Sequence, residues 1–194
     1  MNADGRSEQS KKDANELYRG IGEFVVEFEH VCSNVQGFII VLLQHAGLRD
    51  QAISHILLAG ITADPLRTLL ESLIRETRTL KDVEEKILTD GVKRFQELTQ
   101  ARNDIVHGTW FIGYGNKETI DFSKASGVKL HKNKSGAAVK RLNSTAKEFG
   151  VLTKEAAALR NIFFGLQACL FHGLIVENIF AISNAGHVQL LPGH

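Results

Sequence analysis

The chain has 194 residues, 43% hydrophobic and 23% charged, enough to bury one well-formed core and short for two ordinary domains. Its net charge of +1 conceals an asymmetry: residues 109–150 hold eight Lys or Arg against three acids, +5, which leaves 15 basic against 19 acidic residues, −4, elsewhere. Two cysteines, Cys32 and Cys169, sit far apart in apolar helical patterns without metal-like neighbours, which excludes a disulfide-stapled scaffold and fits reduced thiols in a cytoplasmic protein.

Residues 1–12 lack the apolar centre of a secretion signal and read as a disordered tail; a single domain is expected over 13–190. From Asp13 a helical period runs through Leu17, Ile21, Phe24, Val25, Phe28, Val31, Val35, Phe38, Ile39 and Leu42, ending near Gly47. A shorter helix follows Asp50 through Ile53, Ile56, Leu57 and Leu58. Gly60 and the Asp64-Pro65 pair mark a break, after which a third helix covers Leu66, Leu69, Leu70, Leu73 and Ile74. Asp82 caps a fourth that runs to His107, with Ile87, Leu88, Gly91, Val92, Phe95, Leu98, Ile105 and Val106 on one apolar arc.

After Gly108 the period changes. Trp110 to Tyr114, Glu118 to Phe122, Val128 to Leu130 and Ala137 to Leu142 are short, β-biased and separated by Gly, Asn and Ser, which predicts a basic β-hairpin insert over about 109–150. Thr153 opens a last long helix through Leu159, Ile162, Phe163, Leu166, Leu170, Leu174 and Ile175. The apolar run from Phe163 to Ile182 approaches spanning length, but Gln167, His172, Glu177 and Asn178 suit a buried bundle helix, so no membrane association is expected. The predicted fold is all-α: a four- to five-helix up-down bundle with a small β-hairpin insert between the fourth helix and the last.

Chemistry concentrates in Arg102-Asn103-Asp104-Ile105-Val106-His107-Gly108, at the end of the fourth helix. Arg102 falls in the middle of the apolar stripe, while Asn103 and His107, four residues apart, lie one above the other at its edge. A buried-facing guanidinium is costly unless an anion meets it, either a carboxylate of the protein or a ligand phosphate. The plain alternative is a salt bridge from Arg102 to Glu23, Glu27 or Glu29, with His107 complementing the helix dipole. No Gly-rich phosphate loop precedes a helix, no nucleophile elbow is present, and the histidines show no zinc-ligand spacing, so no metal or cofactor is expected.

This segment, late in a helical framework, resembles the signature of the HEPN superfamily, in which an Arg, usually a polar residue after it, and a His four to six positions from the Arg form the motif. The resemblance implies an all-α bundle that dimerises with the two motifs facing each other. It also implies metal-independent endoribonuclease activity of the kind found in toxin-antitoxin and other defence systems. Arg102 would clamp phosphate oxygens, His107 would move the proton, and Asn103 would orient the imidazole or the phosphate. On a regular helix Arg102 and His107 point about 140° apart, so two copies across a twofold axis complete a site better than one. Trp110 and Tyr114 are candidates to stack bases, and Lys129, Lys132, Lys134, Lys140 and Arg141 to contact RNA phosphates. The expected partners are a second copy, RNA, and a cognate antitoxin or regulator protein. The competing reading is a non-catalytic bundle of the same fold, binding a nucleotide or another protein.

Overall fold

The computed structural model describes residues 7–113, 121–133, 136–183 and 186–192. In chain order the described elements are α1 Glu8–His45, α2 Gln51–Leu58, α3 Ala63–Thr77, α4 Asp82–Val106, β1 Thr109–Ile112, β2 Lys124–Asn133, β3 Gly136–Thr145, α5 Ala146–His172, α6 Val176–Ile179, β4 Phe180–Ile182 and β5 Val188–Leu190. The chain is mostly helical, with a small antiparallel sheet between α4 and α5.

Capping decides where the helices begin. Ser7 Oγ accepts the Ser10 amide at 3.1 Å, so α1 starts ahead of Asp13, and residues 8–12, expected in a disordered tail, are helical. Asp50 caps α2, accepting from the Ala52 amide at 2.8 Å and the Ile53 amide at 3.3 Å. At α4 the capping group is Glu84, whose Oε2 accepts the Lys81 amide at 2.8 Å, rather than Asp82. The last long helix begins at Ala146, seven residues before Thr153, because Thr145 and Glu148 form a reciprocal capping box. Glu148 Oε2 accepts the Thr145 amide at 2.7 Å, and Thr145 Oγ1 accepts the Glu148 amide at 3.3 Å.

Two compact units divide the chain, one of residues 1–27 and 100–154, the other of 28–99 and 155–194. In the first, β1, β2 and β3 form an antiparallel sheet in that order, with Trp110 opposite Gly127 and Lys129 opposite Lys140. Glu118 to Phe122 had been expected to supply a strand. Phe122 lies outside any strand, residues 118–120 fall outside the described residues, and the Asp121 side chain instead accepts the Ser123 amide at 2.8 Å in a turn. Leu17, Phe24, Ala125 and Phe149 are fully buried here.

The second unit packs Phe28 on Phe95, with ring centroids 6.0 Å apart, and Phe95 edge-on to Phe163 at 6.1 Å. Its apolar run from Phe163 to Ile182 is not one helix: α5 stops at His172, where Gly173 takes φ +65°, and the chain continues through α6 into a β4–β5 hairpin. Arg94 ties that hairpin down, donating to the Val188 carbonyl at 3.1 Å while pairing with Glu155 at 2.5 Å and Asp90 at 3.3 Å. Among the described residues, α1 is long and apolar enough by composition to cross a membrane. Its Leu17, Phe24, Phe28, Val31, Val35, Phe38, Ile39 and Leu42 are buried within the protein.

Candidate functional site

The last turn of α4 and the sheet of the first unit build the site together. A helix end leaves its final carbonyls without intrahelical donors. Here the Asn103 carbonyl accepts both the His107 amide at 3.2 Å and Lys129 Nζ at 3.0 Å. The Ile105 carbonyl accepts the indole N–H of Trp110 at 2.8 Å. That last bond folds β1 tightly over the helix end. A Cβ at Gly108 would stand 2.6 Å from the Asp104 carbonyl oxygen and 3.2 Å from Trp110 Nε1, so only glycine fits between them.

Asp104 is the centre of the arrangement. It is buried, 7% exposed, and its carboxylate accepts Lys129 Nζ at 2.9 Å, Lys140 Nζ at 2.5 Å and the Gln100 side-chain amide at 2.9 Å. The two lysines face each other across β2 and β3, so both side chains leave the same face of the sheet. Burial pushes the Asp104 carboxyl up, but the hydrogen bonds and charges of Lys140 and Lys129 outweigh it and hold the group below the usual carboxylate range. One carboxylate against two ammonium groups leaves one positive charge in excess.

The motif residues are spread around the same helix end. Arg102 is half-buried, with Nη1 3.4 Å from Asn103 Oδ1, and Asn103 is half-buried beside it. His107 follows the helix in an exposed turn. Ile105 is buried as its period requires, whereas Val106, expected on the same apolar arc, is 43% exposed. Glu23, one of the α1 acids considered for Arg102, is paired with Arg19 at 2.7 Å.

The insert residues fare differently from expectation. Lys129 and Lys140, anticipated as phosphate contacts, have an internal partner in Asp104. Trp110, anticipated as a base-stacking residue, is used structurally: besides its bond to Ile105 it stands edge-on to Phe149 at 5.8 Å and covers Gly127, where a Cβ would lie 3.1 Å from the indole. Arg141 is exposed and belongs to the opposite face of β3 from Lys140. Lys132 is a β2 residue paired with Ala137. Tyr114 and Lys134 lie outside the described residues. Among the described residues, no three His, Cys, Asp or Glu side chains gather to hold a metal ion.

Asp104 itself carried no role in the sequence reading. A helical wheel puts it roughly 160° from the centre of the apolar stripe, where a solvated acid is expected. The usable signal was the excess of lysine in the adjoining insert, which lacks acids enough to match it. No protein family, curated protein or solved structure matches the chain.

Proposed function

We propose that the chain is a HEPN-like endoribonuclease that cleaves RNA by internal transesterification without a metal ion, acting as a homodimer through Arg102, Asn103 and His107. The observation that carries this reading is the charge balance of the α4 end. The acid inside the motif is neutralised by two lysines, one of them also held by the Asn103 carbonyl that accepts the His107 amide, so the helix end that leads into His107 keeps an excess of positive charge for a phosphodiester.

In the proposed reaction the ribose 2′-oxygen attacks the adjacent phosphorus. A P–O2′ bond forms as the P–O5′ bond breaks, the 2′-hydroxyl proton is taken up, and a proton is delivered to the departing 5′-oxygen. His107 exchanges these protons, and its exposure beyond the helix end supports that role. Arg102 meets the phosphorane as negative charge accumulates on its oxygens, and Asn103 supplies an amide beside it.

The test is cleavage of an RNA holding single-stranded and paired regions, in EDTA, by wild type, His107→Ala and Arg102→Ala matched for folding by circular dichroism. The expected result is loss of activity by about 10²-fold or more in each variant, with wild-type products ending in 2′,3′-cyclic phosphate. Equal activity in wild type and variants, or none in wild type, overturns the reading in favour of a non-catalytic nucleotide- or protein-binding module.

A further inference from the structure

We propose that Lys129 and Lys140 are positioning residues that latch the β2–β3 hairpin onto the motif helix through Asp104 and thereby fix the helix end at Asn103 and the turn at His107 that follows it. Their role in the reaction rests on the ribonuclease reading above; the latch itself does not. Lys129 Nζ bridges the Asp104 carboxylate and the Asn103 carbonyl, at 2.9 and 3.0 Å, and that same carbonyl accepts the His107 amide. The ammonium group, the helix's terminal carbonyl and the start of the exposed turn therefore form one continuous set of hydrogen bonds. Lys140 completes it from the neighbouring strand at the facing position, so the carboxylate is gripped by both strands at one register.

The side chains differ in what they give up to do this. Lys129 is 14% exposed, too enclosed to present its charge to a polymer on the surface, while Lys140 is 43% exposed. A lysine serving as a phosphate contact keeps its head group in water, as a solvated point charge. Lys129 does the reverse. The glycine at 127, two residues earlier on the same face of β2, admits the Trp110 ring, and Trp110 in turn holds the Ile105 carbonyl, so the hairpin grips the helix end at a second point.

Two readouts on Lys129→Ala, Lys129→Arg and Asp104→Asn test the latch. The first is exchange of the His107 amide by NMR, with the amides of α3 as an internal reference for global opening. The second is single-turnover and steady-state RNA cleavage in EDTA. The latch predicts exchange at His107, by local opening, about tenfold faster in Lys129→Ala and Asp104→Asn, with the α3 amides faster only by the factor that each variant's loss of global stability requires. It also predicts kcat reduced about tenfold with KM within about twofold, and substantial recovery of both readouts in Lys129→Arg. Unchanged His107 exchange overturns the latch, and a raised KM at unchanged kcat identifies Lys129 as a phosphate contact instead. Should wild type not cleave RNA at all, the ribonuclease reading falls, and His107 exchange alone decides the latch: faster exchange supports it, unchanged exchange overturns it.

Discussion

Asp104 is buried, so its charge depends on its neighbours in a way that a surface carboxylate's does not. In the unfolded chain it titrates like any aspartate, near pH 4. In the folded chain the lysines hold it lower. A depressed folded value contributes stability that is fully present above the unfolded value and is lost as the pH falls through the folded one. Asp104→Asn is expected to cost about 3 kcal/mol near pH 7, because two ammonium groups lose a buried counter-charge. In urea melts the gap between wild type and this variant should hold steady from about pH 6 to 8 and narrow below about pH 4; a gap independent of pH would remove the ionic account. Lys140, half in solvent, is worth less: Lys140→Ala should cost about 1 kcal/mol, and the more enclosed Lys129→Ala more. At this scale the spacing puts Asn103 and His107 one above the other and Arg102 on the same helix end, about 140° from His107. The sequence hid Asp104, because helix periodicity describes only what a helix does by itself, and here a sheet covers the face that the period assigns to solvent.

Helix starts are local events, and α5 shows how much such signals carry. Thr145-Ala146-Lys147-Glu148 contains the full capping-box spacing, and both reciprocal bonds form. The β-biased residues 137–142 run almost directly into this box and mask it, whereas Thr153 stands closer to the apolar period. Thr153 in fact lies within the helix, donating its hydroxyl to the Phe149 carbonyl at 3.0 Å. Thr145→Ala should therefore lower stability by about 1 kcal/mol, a Tm decrease of roughly 2–4 °C, while Thr153→Ala, at an interior helical position, should leave Tm nearly unchanged or raise it. Reversed ranks in thermal melts would mean that the observed helix start is not the one that governs stability. The strands divide in the same way. Val128 to Leu130 and Ala137 to Leu142 lie in β2 and β3, where alternation marks a half-covered sheet, but β4 is concealed at the end of a continuous apolar run. Such a run reads equally as helix or strand, and only Gly173 hints at the break.

At the scale of the molecule, the division into two compact units had no counterpart in the composition, because its boundaries fall inside α1, α4 and α5 rather than in Gly- or Pro-rich linkers. The whole motif and its latch belong to one of these units. A single copy still presents an obstacle to the proposed reaction, for Arg102 is half-buried on the helix while His107 sits beyond its end on an exposed turn. The proposed dimer resolves this if each site takes its arginine from one protomer and its histidine from the other, and that arrangement has a quantitative signature. Arg102→Ala and His107→Ala, each inactive alone, are mixed and allowed to exchange subunits. Random exchange makes half of the dimers mixed, and in each of these one of the two sites holds both wild-type residues, so about a quarter of wild-type activity returns. Recovery should follow the rate of subunit exchange and disappear on dilution below the dimer dissociation constant. No recovery, from variants shown to form mixed dimers, would mean that each site draws its arginine and histidine from the same chain or needs both copies of each, and that the half-buried Arg102 must reorient to reach the atoms His107 serves.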